Sequence, residues 1–185
     1  MIFDLQKIST REFLTLDENA ALPYWKLQSF MKPIAKFGRY DAKRLGEMAF
    51  GDVTSIKHAI QKPDYDSLIQ IFNSVFGIKE SQFLNAPVTD FLSALTWLRL
   101  SVSELIKKEY NALKTEPDQD MEAAGVHRLN IFNEMNTLIA IGQQYNKSPE
   151  EIETWKYNLV FALMLHNKIQ SEVQKSYAEI KSKAK

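Results

Sequence analysis

The chain has 185 residues, enough for one ordinary domain or two small ones. Its 23 Lys and Arg balance 23 Asp and Glu, and a formal net charge of zero argues against a generalised nucleic-acid binder and against an acidic disordered tail. The lack of cysteine excludes a disulfide scaffold, a thiolate zinc site, an iron–sulfur cluster and a cysteine nucleophile, while 45% apolar residues with 11% aromatics suffice for a core.

The first nine residues leave a short strand or an extended arm open. They lack a basic segment followed by a long apolar core, so no secretory signal is expected. Thr10 is expected to cap a short helix through Phe13 and Leu14. Pro23 opens a stretch with apolar residues at helical spacing, and Pro33 ends or kinks it, because proline removes a backbone donor. Asp41 is placed as the cap of another helix. Asp52 is placed as the cap of a third, which carries Val53, Ile56 and Ile60 and stops at Pro63. Asp64 or Asp66 starts the next, with Leu68, Ile69, Ile71, Phe72, Val75 and Phe76, and Gly77 sits where a C-cap glycine belongs.

The second half reads differently. From Pro87, the residues Val88, Phe91, Leu95, Leu98, Val102 and Leu105 recur at spacings of three and four, predicting a helix of about 27 residues, or about 40 Å. Thr115 to Asp120 is an acidic turn. Met121 to Gly142 holds one or two shorter helices with a joint at Gly125. Ser148-Pro149-Glu150-Glu151 combines a serine cap, a proline at the first helical position and a capping-box glutamate. The last helix carries Ile152, Trp155, Leu159, Leu163, His166, Ile169, Val173, Tyr177 and Ile180, with a break near Trp155–Tyr157 as the alternative to one continuous rod. No segment alternates with period two.

The expected fold is therefore all-α. A compact bundle of short helices over residues 1–84 precedes two long amphipathic helices, about 87–114 and 149–183. Residues 85–185 pack with the first region as one domain or as two closely coupled ones. The longest apolar run, Leu159 to Leu165, is far short of the roughly 20 residues of a membrane span.

Few residues point to chemistry. His58, His127 and His166 show no helical metal spacing, and His166 lies on an apolar stripe, where a buried or half-buried structural histidine is expected. Asp118, Asp120 and Glu122 alternate like the start of a calcium loop. The sixth and twelfth positions hold Ala123 and Leu129 instead of Gly and Glu, so a solvated turn is expected. No phosphate-cradling loop or nucleophile elbow is present, and the chain is read as non-enzymatic, with no catalytic residue, metal or cofactor.

Charge is unevenly distributed. Residues 26–62 carry +5, centred on Lys32, Lys36, Arg39, Lys43 and Arg44, while residues 109–122 carry −4. A helix-turn-helix over 41–61 would set the basic patch against phosphates, but its second helix has no arginine and few base-reading side chains. Meeting an acidic protein partner is at least as good a reading. Trp97, Leu100, Trp155, Tyr157, Val160 and Met164 are the candidate partner contacts, because helices apolar on more than one face are either central or covered by another chain. Core placement is the competing reading for each tryptophan.

One resemblance goes further. The segment Met121-Glu122-Ala123-Ala124-Gly125-Val126-His127-Arg128-Leu129-Asn130-Ile131-Phe132 leads to Met135-Asn136-Thr137-Leu138. Glu151-Ile152, Trp155-Lys156-Tyr157 and Val160-Phe161 follow, ahead of a charged amphipathic helix. Together with the opening Ser9-Thr10-Arg11-Glu12-Phe13-Leu14, this resembles the tail-assembly chaperones of tailed bacteriophages over about half of the chain. The chain departs from them in lacking a separable C-terminal extension rich in glycine or proline. The resemblance implies a holdase that coats the tape-measure protein and recruits tail-tube subunits in the host bacterial cytoplasm during assembly. Homo-oligomers, a virion structural role at the head–tail junction or baseplate, and a helix-turn-helix regulator remain the alternatives.

Overall fold

A computed structural model describes residues 8–115 and 118–183. The arm considered at the N-terminus falls mostly on residues 1–7. Glu116 and Pro117 of the acidic turn, and residues 184–185 of the last helix, likewise lie outside the described residues. The fold is largely helical, as the sequence predicts. The chain divides into two compact units: Met1–Leu45 with Ser55–Ile106, and Gly46–Thr54 with Lys107–Lys185. The boundary expected near 84–85 falls inside the first of them.

In the first unit, α1 (Thr10–Leu14) begins at Ser9 rather than at Thr10. The Ser9 hydroxyl accepts from the Glu12 amide at 3.2 Å and the Glu12 carboxylate accepts from the Ser9 amide at 2.7 Å, a reciprocal capping box. Thr10 is instead buried, its hydroxyl donating to the Ala86 carbonyl at 3.0 Å. Helix α2 (Glu18–Gln28) contains Pro23 rather than starting at it. Asp17 caps the helix by accepting from the Ala20 amide at 3.0 Å. The proline costs the bond its missing N–H would have made one turn back.

Asp41 caps no helix. It lies in β2 (Tyr40–Asp41), which pairs antiparallel with β1 (Lys36–Phe37) around Gly38 at φ +57°. This two-residue ladder is too short to show a period in sequence. Its purpose is visible in packing: Phe37 enters the core against Phe72 at 5.2 Å, Phe76 at 5.9 Å and Phe83 at 5.9 Å. Helix α3 (Phe50–Ala59) follows a 3₁₀ turn at Leu45–Glu47 and starts two residues before Asp52. Helix α4 (Tyr65–Phe76) runs from an Asp64 cap, the first of the two the sequence offered, to Gly77 in the left-handed region at φ +66°, as read from sequence. Helix α5 (Glu80–Leu84) and the first part of α6 (Val88–Leu113) close the core with Phe83, Phe91, Leu92, Leu95 and Leu98.

In the second unit Asp118 leads to α7 (Gln119–Ala123) and a 3₁₀ helix at Val126–Phe132. Gly125, at φ +86°, is the joint between them. Helix α8 (Met135–Tyr145) ends at Asn146 in the left-handed region, and α9 (Pro149–Glu153) starts with the predicted Ser148–Glu151 capping box. The predicted rod over 149–183 is broken at Thr154–Lys156, and α10 (Tyr157–Lys183) is a separate helix. The physical reason lies a hundred residues upstream. Ala49 and Lys156 form an antiparallel bridge: the Phe50 amide donates to the Trp155 carbonyl at 2.8 Å, and the Tyr157 amide donates to the Met48 carbonyl at 2.9 Å. Those backbone groups cannot also serve a helix. Met48, Phe50, Val53, Leu138, Ile141, Ile152, Tyr157, Val160 and Phe161 form this unit's core. Among the described residues no helix is long and apolar enough to cross a membrane.

Candidate functional site

The six candidate contact residues are divided between the two units. Trp97 and Leu100 belong to the first unit and the other four to the second. Trp97 is half-buried, edge-on to Phe76 at 6.2 Å, and Leu100 is exposed. Trp155 is half-buried, edge-on to Tyr145 at 5.7 Å. Met164, also half-buried, lines a shallow depression of about 350 Å³ with Leu113, Thr137 and Ile141.

Tyr157 and Val160 must be withdrawn as contacts, being 2% and 0% exposed inside the second unit. The break before α10 turns them inward. Tyr157 stacks on Phe50 at 5.9 Å and donates its hydroxyl to the Glu109 carboxylate. Burial first, and that carboxylate second, push the phenol well above its ordinary pKa.

The basic patch sits on and around the hairpin of the first unit, and all five side chains are exposed. Lys36 pairs with Asp41 at 3.1 Å, Arg39 lies over the Tyr40 ring at 5.2 Å, and Lys43 donates to the Ser74 carbonyl at 2.7 Å. These contacts hold the hairpin and the strand exit. A helix-turn-helix is not formed, because residues 41–49 are strand, loop and 3₁₀ turn ahead of α3.

His58, His127 and His166 are all exposed, so the expectation of a buried or half-buried His166 is corrected. It lies on the outer side of α10 because the packed side of that helix is the opposite one. Asp118 accepts from the Asp120 and Met121 amides at 3.1 and 3.2 Å, capping α7, and pairs with Lys175 at 3.0 Å. The Lys175 hydrogen bond, then the Met121 amide, hold its carboxyl below the usual range, and Lys175 is raised in turn. Among the described residues no group of three or more His, Asp or Glu is placed to hold a metal ion.

The most distinctive surface was not among the candidates. In a 3₁₀ helix residues three apart eclipse, so Val126, Leu129 and Phe132 stack along one side of the Val126–Phe132 segment. With Met121, Ala124 and Ile131 they line an apolar depression of about 710 Å³, rimmed by Arg128. Ile131 is 77% exposed, and Met121, Leu129 and Phe132 are also open to solvent. Helix α8 adds exposed Met135 and Ile139, four residues apart on its outer side. Solvent-exposed apolar groups gathered this densely mark interaction sites on protein surfaces. The sequence signal was the i, i+3, i+6 spacing of Val126, Leu129 and Phe132 directly after a glycine joint, which α-helical periodicity does not register. No family model, curated protein or solved structure matches this chain.

Proposed function

We propose that this chain is a non-enzymatic helical protein-interaction factor that holds an apolar segment of a partner protein at the Met121–Phe132 surface. The carrying observation is the exposure of Met121, Leu129, Ile131 and Phe132 around one depression of about 710 Å³. A cleft of that size and apolarity suits two or three large side chains presented by an amphipathic helix. The family resemblance, which runs through this same segment, supports a more specific reading: an assembly chaperone of a phage tail, with the tape-measure or tail-tube protein as client.

The test is co-expression with a phage tape-measure protein, followed by affinity capture. The wild-type chain should retain the client. The double variant Ile131→Asp with Phe132→Asp should lose at least ~10-fold of the captured client, at an unfolding midpoint close to wild type because both positions are exposed. Capture that survives the double variant would refute the surface. No capture by either chain would refute the client. Mass spectrometry of finished particles separates an assembly factor, which should be absent, from a virion component.

A further inference from the structure

Over its first turns helix α10 is apolar on two opposite sides, and only one of them is covered. At about 100° per residue, Tyr157, Val160, Met164, Lys168, Ser171 and Lys175 share one side of the helix. That side makes the contacts within the second unit. Tyr157 and Val160 are buried there, Lys168 donates to the Ala112 carbonyl at 2.9 Å, and Lys175 reaches Asp118 at 3.0 Å. The opposite side carries a second stripe: Leu159, Ala162, His166, Ile169, Val173, Ser176 and Ile180. Its spacings alternate three and four without a slip, a period of 3.5. Every residue of α10 from Ile169 to Lys183 is exposed.

A helix of period 3.6 that only coats its own core has no reason to keep a second seam at period 3.5. That period keeps a seam facing a partner helix along a left-handed supercoil. We infer that this seam pairs with the same seam of a second copy of this chain, parallel and in register. The choice of a second copy rests on three observations.

First, the area is of the right order. Leu159, Ile169, Val173 and Ile180 of the seam, with Tyr177 beside it, are 48% to 68% exposed, together on the order of 600 Å² of residue surface. A standard interface takes about 800 Å² from each partner.

Second, the layers match themselves. In register, Val173 meets Val173 and Ile180 meets Ile180, so the large apolar residues of the seam pair with themselves. His166 meets His166 as the one ionisable pair in the seam, the kind of polar layer that specifies register.

Third, the charges beside the seam are compatible. Glu172 and Glu179 flank one side, and Gln170 and Tyr177 flank the other. Parallel pairing sets Glu172 of one helix beside Tyr177 of the other, so no like charges oppose. This dimer uses the outer side of α10 and not the Met121–Phe132 depression, so it stands independently of the client reading.

The absence of native cysteine makes the test clean. Sedimentation of the full chain at tens of micromolar should give the mass of a dimer. Val173→Glu should raise the dissociation constant at least ~100-fold, since a charge at a desolvated seam centre acts as a lost hot spot, with the circular dichroism of the wild type retained. Under mild oxidation Ser176→Cys should link two chains, while Ala178→Cys, on the far side of the helix, should not. A monomer at that concentration overturns the inference. A dimer that survives Val173→Glu, or that links through Ala178→Cys as readily as through Ser176→Cys, overturns the seam. A dimer in which Ser176→Cys fails to link overturns the parallel register.

Discussion

Removing the Tyr157 hydroxyl should weaken the fold at neutral pH and strengthen it at high pH. The ring is 2% exposed and its hydroxyl donates to Glu109. In Tyr157→Phe the ring packing survives and one hydrogen bond to a charged group is lost. Such a bond contributes about 1.5–3 kcal/mol. Glu109 is half-buried and regains water, so about 1–2 kcal/mol is the expected loss at pH 8.

The alkaline behaviour follows from linkage. In the unfolded chain the phenol ionises near pH 10. In the native chain burial, and then Glu109, keep it protonated well above that. Below about pH 10 both states hold the proton and Tyr157 adds no pH dependence. Above it the unfolded state releases a proton that the native state keeps, and stability falls by about 1.4 kcal/mol per pH unit. The variant lacks this slope. The two proteins should therefore be equally stable near pH 11, with the variant the more stable beyond it. Urea unfolding followed by circular dichroism at pH 8, 10 and 11.5 measures the gap. A gap that stays constant across that range would refute a buried, proton-holding phenol at this position.

Two further outcomes follow from the packing and the charges. Phe72 is fully buried with the rings of Phe37, Phe76, Phe83 and Phe91 at 4.9 to 5.5 Å, so Phe72→Ala should cost about 3–5 kcal/mol in denaturant titrations; a loss below about 1 kcal/mol would mean the cluster collapses freely. In Lys175→Met, the Asp118 carboxyl should titrate higher than in wild type by carboxylate NMR. It should remain somewhat depressed, because the Met121 and Asp120 amides still donate to it. An unchanged midpoint would show that Lys175 does not pair with Asp118 in solution.

What could be read from sequence was what neighbours in the chain decide among themselves. The Asp64 cap, the left-handed Gly77, the Ser148–Glu151 box and the long α6 stripe each depend on residues within one or a few turns. Their physics is local, and so is their signature. The all-α class follows from them.

What only the tertiary structure decided was which of several equivalent local choices found a partner. The break at Thr154–Lys156 exists because Met48 and Phe50 claim backbone groups there. The hairpin at Lys36–Asp41 exists because Phe37 fills a gap among distant phenylalanines. Helix α10 shows the limit most clearly. Periodicity found its outer stripe, with Leu159, His166, Ile169, Val173 and Ile180, and that stripe is the uncovered one. Tyr157 and Val160, picked as partner contacts, form the covered side. A hydrophobic pattern records that a face avoids water. Whether the same chain or another molecule covers it depends on residues far along the sequence, and no local pattern contains them.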